Sequence, residues 1–422
     1  MFREYWSSIR AFSPNARRYL TTTALLGLTF GLQYLFFNLY VLSLGFDQAF
    51  VGTLASIPAL VTAVSAIPIG LLLPRFGFRR SLVAGGLLLV IALLGWALVP
   101  SRTVLVISSA LFGLGSSLLW ICSSPLMVAV SHAAVRTYLF GLQFALNTLS
   151  GVAANLIGGY LPRLLTAVLG QASQGSTAYR GVLLIALVLT LLAMIPVIRL
   201  RGLPADKCVP VRWPHLQRHR KSIGKLLFIQ LSMSLGAGLL MPFINVFYRL
   251  RFGVPDPSLG ALFAVSSLMT GLAGLLAPVF AGRLGKIRTV FLTQGLSIPF
   301  LIAMGFIPSF GLSAGGYLIR TALMNMSAPV FTAYSMGLVP AGLRPLTSSL
   351  MTLAWNAGWA AAAWTSGKIQ LASGFSTIFT VTLSIYAVVI ALTYVFFRNT
   401  AELGAGNDVP EPSPAETGEE RS

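Results

Sequence analysis

The sequence has 422 residues, 56% of them hydrophobic and only 9% charged, with a mean hydropathy of +0.82. A soluble domain carries about 25% charged residues, so a water-facing surface over most of the chain is excluded. The net charge of +19 would suit nucleic acid, but its distribution along the chain excludes that partner.

The start, MFREYWSSIRAFSPNARR (1–18), is polar and basic. It reads as a cytoplasmic segment running into the first span, not as a cleavable signal. Twelve apolar windows follow, each long enough to cross about 30 Å of hydrocarbon as helix. They lie at approximately 19–44, 50–73, 81–99, 103–130, 137–161, 179–198, 223–250, 259–282, 289–307, 313–336, 346–368 and 375–397, and are numbered here spans 1 to 12. Several contain Pro or Gly, which membrane helices tolerate when neighbours satisfy the freed backbone groups. Residues 199–222, RLRGLPADKCVPVRWPHLQRHRKS, are the longest polar interruption and form a basic cytoplasmic linker. They divide the spans into an N-terminal bundle, 19–198, and a C-terminal bundle, 223–397. The tail, 398–422, is acidic, rich in Pro, Gly and Ser and free of hydrophobic periodicity, so it reads as disordered.

With the N-terminus cytoplasmic, the cytoplasmic segments hold 22 Lys and Arg and the external loops hold six: Arg102, Arg163, Arg180, Arg249, Arg251 and Lys368. Arg320 is the remaining one. This is the positive-inside signature, and it puts both termini in the cytoplasm. The basic charge is therefore topology. The cysteines, Cys122 in span 4 and Cys208 in the linker, do not imply a disulfide framework. Cys208, His215 and His219 supply one thiol and two imidazoles in a flexible loop, a poor metal site. Neither a metal nor a cofactor is expected.

The halves read as copies. FGLQYLFFNLYVL (30–42) aligns with AGLLMPFINVFYR (237–249), matching Gly31 to Gly238, Phe36 to Phe243 and Asn38 to Asn245. VGTLASIPALVTAVSAIPIGLLLPRFG (51–77) aligns with LGALFAVSSLMTGLAGLLAPVFAGRLG (259–285), matching Gly52 to Gly260, Thr62 to Thr270, Arg75 to Arg283 and Gly77 to Gly285. Arg136 falls on Arg344 and, shifted by one, Asn147 on Asn356. Two homologous bundles are the architecture of a carrier that rocks about a central site. The expected fold class is an all-α polytopic membrane protein: twelve transmembrane helices as two pseudo-symmetric six-helix bundles around a central cavity.

PRFGFRR after span 2 and GRLGKIR after span 8 resemble the loop signature of the Major Facilitator Superfamily, G-x-L-a-D-R-x-G-R-K, and the resemblance covers the whole chain. It implies that spans 1, 4, 7 and 10 line the cavity, that spans 2, 5, 8 and 11 flank it, and that spans 3, 6, 9 and 12 face lipid. It also implies a gating role for Arg75, Gly77, Arg79 and Arg80 and for Arg283, Gly285, Lys286 and Arg288. The signature Asp, which normally helps hold the closure on the cytoplasmic side, is Pro74 in one copy and Gly282 in the other.

All ten carboxylates fall outside the expected spans, with Asp47 and Asp256 in external loops. Proton relays through membranes normally use Asp, Glu or His, so a carboxylate-based proton carrier is disfavoured. Two antiporter signatures of the superfamily are also degenerate here. SALFGLGSS (109–117) has Ser109 and Phe112 at the Arg and Gln positions, and SGVAANLIGG (150–159) has Asn155 for Pro. The polar groups left on the expected cavity helices and their neighbours are neutral amides, hydroxyls and aromatic rings. The candidate substrate-binding residues are Gln33, Tyr34 and Asn38 on span 1; Gln143 and Asn147 on span 5; Asn245 on span 7; Arg320 and Asn325 on span 10; and Trp355 and Asn356 on span 11. Amides both donate and accept, which suits hydroxyls, carbonyls and amides, although such residues also bond helix to helix.

Arg320 is the one charge expected well inside a span, since Arg180, Lys225, Arg249 and Lys368 fall at window ends; it lies about seven residues in, or on the order of 10 Å deep at 1.5 Å per residue. It either snorkels outward or meets an anionic or strongly polar ligand group in the cavity. The expected function is a secondary transporter, not an enzyme. It would move a small polar or anionic solute with an apolar face by alternating access, without an intramembrane carboxylate relay. The alternatives are efflux of lipophilic compounds and, in another class, a polytopic lipid-modifying enzyme. For the latter only His132 and Asp47 lie near the membrane faces, and on opposite ones. The expected partners are a small-molecule substrate and the lipid bilayer of a bacterial-type inner membrane, with no nucleic acid and a monomeric chain.

Overall fold

The computed structural model of the chain describes residues 12–131, 133–169, 175–201, 214–340, 343–398 and 400. The expected disordered tail beyond residue 400, His132, residues 202–213 of the basic linker including Cys208, and the side chains of Arg75, Arg136 and His215 lie outside the described residues.

Span 1 is the helix Pro14–Ser43, capped by the Ser13 hydroxyl, which accepts from the Ala16 N–H at 3.2 Å. Span 2 is Gln48–Phe76, and here Asp47 finds its role. Its carboxylate caps the helix, accepting from the Phe50 N–H at 2.8 Å where the helix dipole favours negative charge. Phe78–Leu98, Arg102–Ala129, Ala133–Leu169 and Ser176–Ile198 complete the N-terminal half. Span 7 is broken. The helix Pro214–Leu240 gives way to one 3-10 turn, Met241–Phe243, before the helix Ile244–Phe252 resumes. Pro242 supplies no N–H and cannot continue an α-helical ladder. Asp256–Leu284, Lys286–Phe306 and Phe310–Gly337 follow, and then Arg344–Phe397, which breaks at Gly374 (φ 72°) into spans 11 and 12.

Among the described residues, ten helices are long and apolar enough to cross a membrane. The broken Leu346–Phe397 helix makes two of the crossings, and the Arg320-bearing helix Phe310–Gly337, which is not one of the ten, packs against Asp256–Leu284 and Lys286–Phe306 in the position of span 10. Leu and Ile side chains on spans 3 and 6, such as Leu87, Ile91, Leu191 and Ile195, stand exposed on the outside of the bundle, a surface only lipid satisfies. Inside, each half is tied by aromatic groups whose polar ends find backbone partners. Tyr40 donates to the Trp96 carbonyl at 2.8 Å, and Tyr248 to the Ser313 carbonyl at 3.0 Å.

The two signature loops reduce to single glycines. Gly77 (φ 74°) ends span 2 and starts span 3, and Gly285 (φ 84°) does the same between spans 8 and 9. Both hold the left-handed backbone that a side chain disfavours, so the matched glycines have the same physical cause. Arg79, Arg80, Arg283 and Arg288 around them are exposed or half-buried.

The halves meet most tightly at the end remote from the termini. A Cβ on Gly52 (span 2) would lie 2.6 Å from the Ala363 carbonyl oxygen and 3.1 Å from the Gly367 Cα of span 11. One on Gly260 (span 8) would lie 2.9 Å from the Gly159 Cα of span 5. Only glycine permits backbones this close. Gly52 matches Gly260 in the repeat, and Gly159 stands to Gly367 at the same offset, so the two crossings are related by the pseudo-symmetry of the halves.

Candidate substrate site in a cavity open toward the termini

Beneath this closed end lies a cavity of about 690 Å³ between spans 2, 4 and 11. It runs from Ala55 and Trp359 to Ser124 and Ser348, close to the helix ends that carry the termini. Thr62, Ser117, Trp120, Trp355 and Asn356 line it. A second chamber, about 390 Å³, enters the C-terminal half between spans 7, 9, 10 and 12. Trp355 and Trp359, whose rings lie 6.2 Å apart and tilted by 32°, border both spaces.

Arg320 forms the wall of the second chamber. It is the eleventh residue of its helix, about 15 Å from the helix start at 1.5 Å per residue, deeper than the sequence windows suggest. Its side chain does not snorkel: it is 3% exposed. Nη2 donates to the Tyr386 hydroxyl at 3.0 Å, Nη1 points at Met241 Sδ at 3.1 Å, and Cζ sits 5.5 Å from the Tyr386 ring centre. Nε has no partner. A guanidinium offers five N–H donors and a thioether is a weak acceptor, so this buried cation is held by one hydroxyl, one ring face and one sulfur.

Among the sequence candidates, Arg320, Tyr34, Asn325 and Trp355 line this chamber together, and Asn356 lines the adjoining cavity. Asn325 and Asn356 each donate one turn back along their helix, to Thr321 and Thr352, leaving the amide oxygens available. Gln143 and Asn147 fall in a separate small pocket of about 40 Å³ within the N-terminal half, where Gln143 donates to Ser123 at 2.8 Å. Gln33 is half-buried and lines none of these spaces.

Asn38 and Asn245 also stand outside the cavity linings. Asn38 Nδ2 donates to the Pro242 carbonyl of span 7, and Asn245 Nδ2 donates back to the Leu35 carbonyl of span 1 at 2.9 Å. Tyr34 adds a third bond to the Met241 carbonyl at 3.2 Å. The repeat-related asparagines form a reciprocal clasp between the halves, fastened at the break in span 7. Asn38→Ala is expected to leave a buried carbonyl unsatisfied, costing the closed end about 1–3 kcal/mol. Greater labelling of a cysteine at cavity position Thr352 from the face opposite the termini would register the loss.

Gln294, Tyr317, Tyr386 and Thr393 are lining residues the sequence candidates lack. Gln294 (span 9) and Tyr386 and Thr393 (span 12) sit on spans that the family resemblance turns toward lipid. Polar groups in the middle of two such helices were the available signal. Gln294 Nε2 donates to Ser327 at 3.0 Å while its Oε1 is unpartnered.

Asp256 differs from an ordinary loop residue. It opens the span 8 helix, is 5% exposed, pairs with Arg249, and accepts from the Tyr179 hydroxyl at 3.3 Å. It belongs to the closed end and not to the chamber. Among the described residues no group of three or more His, Cys, Asp or Glu is placed to hold a metal.

The family model described as Major Facilitator Superfamily matches residues 19–215 and 226–420. Among solved structures, a mutant form of the nucleoside transporter NupG superposes with a TM-score of 0.73 at 14% identity, covering 91% of this chain and 100% of that one. A bacterial homolog of the human lysosomal transporter Spinster, in an inward-facing and occupied conformation, gives 0.72 at 17% identity, over 93% of this chain and 97% of that one. A D-xylose–proton symporter gives 0.72 at 15% identity, over 92% and 98%. No curated protein matches the sequence.

Proposed function

Because the chain belongs to the Major Facilitator Superfamily, a family of membrane transporters and not of enzymes, we propose that it carries a small polar or anionic solute with an apolar face by alternating access. The observation that carries this reading is Arg320: a cation 3% exposed, on a chamber wall, with no carboxylate against it among the described residues. The aromatic and methionine side chains opposite supply the apolar face.

With the termini cytoplasmic, as the positive-inside asymmetry supports, the conformation is inward-facing. The chain then works as a monomer in a bacterial-type inner membrane. Transport proceeds without an intramembrane carboxylate relay, since the buried Asp256 is engaged by Arg249 and Tyr179 at the closed end. The tryptophan-rich wall also favours a second reading, efflux of lipophilic compounds.

Purified protein in liposomes, offered labelled anions, nucleosides, sugars and lipophilic amines with and without a pH gradient, tests both. The expected result is exchange of a polar or anionic solute that persists without the gradient. Strict dependence on the gradient removes the uncoupled mechanism, and movement of the lipophilic amines alone favours efflux.

A further inference from the structure

We propose that the Arg320 chamber is built for a monocarboxylate, and that the carboxylate takes Arg320 away from Met241. The inference rests on the transport reading above and deepens it by fixing the charge and headgroup of the solute.

The first argument is charge. Among the described residues, Arg320 is the one charged group lining the chamber, and at 3% exposure little water reaches it. A buried cation is stabilised by one anion placed against it. A neutral solute leaves the cation uncompensated, and a phosphate monoester, at about −1.5 to −2 near neutral pH, overshoots it. A single carboxylate balances the site.

The second argument is donor geometry. Guanidinium and carboxylate match as two parallel N–H···O bonds. Tyr386 takes one of the two Nη2 hydrogens, so the Nη1–Nη2 edge offers that pair once Nη1 leaves the sulfur, while Nε is a further donor without a partner. A thioether is a weak acceptor, so it yields to a carboxylate oxygen at little cost, while the Tyr386 bond keeps the side chain aimed. Met241 is therefore a positioning residue, a placeholder for the anion.

The third argument is the body of the solute. Beyond Arg320 the wall turns apolar and soft, with Met233 and Met324 beside the Trp355–Trp359 pair. Flat or flexible apolar groups pack well on such surfaces. Gln294 Oε1 is a further unpartnered acceptor in this wall, available to a single hydroxyl or N–H on the solute.

The position of Met241 gives the exchange a consequence. Its carbonyl is held by Tyr34, and the next carbonyl, Pro242, is held by Asn38. Releasing the Met241 side chain frees the one turn of span 7 on which the clasp is fastened. Occupancy is thereby read by the element that holds the remote end closed.

The test measures thermal stabilisation and tryptophan quenching of the full chain in detergent. The probes are benzoate, indole-3-acetate, 2-naphthoate and octanoate, each beside its neutral amide and a phosphate ester of similar body. At least one carboxylate is expected to bind about tenfold more tightly than its amide, a gap of about 1.4 kcal/mol. Arg320→Gln should erase that preference. Met241→Leu, which keeps the bulk and removes the sulfur, should raise the preference for carboxylate over amide about two- to fivefold, an outcome general loosening of the fold does not give.

Amides or phosphates that equal the carboxylates across the panel overturn the proposal, as does a panel in which nothing binds. Carboxylates that bind but are not exchanged in liposomes refute the transport reading and leave the site standing. Neutral solutes exchanged in preference to carboxylates do the reverse.

Discussion

Replacing Gly367 by valine is expected to shift the protein away from the conformation closed at its remote end. Any Cβ at this position overlaps the Gln48 carbonyl and comes within 2.9 Å of the Ala49 Cα. Both are backbone atoms at the start of span 2, so neither can swing aside as a side chain would. Overpacking of this kind costs about 1–3 kcal/mol, enough to shift a balance between two conformations by roughly five- to 150-fold. A cysteine at Thr352, on the cavity wall of span 11, reports the shift in a background without Cys122 and Cys208. In the parent protein an impermeant thiol reagent should reach it from the face of the termini, and in the valine variant from the opposite face. Gly260→Val, at the pseudo-symmetric crossing, should behave alike. Gly315→Ala, whose Cβ would meet open space, should change nothing. A Gly367→Val protein that labels like its parent would show that the crossing is not the gate.

The second large effect belongs to Arg320. Arg320→Ala is expected to insert normally and to lose binding and exchange of carboxylate probes by roughly 100-fold, the scale of about 2–3 kcal/mol for losing a buried charged partner. Arg320→Lys keeps the charge and loses the planar fork, so an intermediate loss of about tenfold is expected. Lysine is also too compact to reach the Tyr386 hydroxyl and a ligand together. Membrane levels measured beside exchange separate folding from function. Undiminished exchange by Arg320→Ala would refute the ligand role outright.

The sequence made the architecture legible because lipid imposes a coarse rule, about twenty apolar residues per crossing, and because duplication left matched Gly and Asn pairs. It also isolated Arg320, since a lone charge among apolar residues needs no coordinates to be noticed. Its surroundings were less legible. Asn38 and Asn245 match across the repeat for a reason that sequence cannot separate from ligand binding: a pair related by pseudo-symmetry suits either a shared site or a clasp between halves. In this conformation the contacts are those of a clasp: each asparagine bonds a backbone carbonyl of the opposite half, one of them at the break Met241–Phe243. Gln294 and Tyr386 escaped because membrane helices carry no strong amphipathic signature when one face meets lipid and the other meets equally apolar neighbours. Which side of span 9 or span 12 turns inward is settled by packing, and a hydropathy window averages over it.

The duplication also fails in one informative place. Span 4, the counterpart of span 10, has no charged residue beyond Arg102 at its first position. The strong anchor therefore belongs to one half alone. If the bundles rock as proposed, a solute held on Arg320 would ride with the C-terminal half, and the N-terminal half would sweep past it as a moving wall. Such a carrier holds its cargo in one orientation throughout the cycle, headgroup toward span 10. Changes to the solute's headgroup would then be read by the C-terminal half alone, and changes to its far end by the wall that moves.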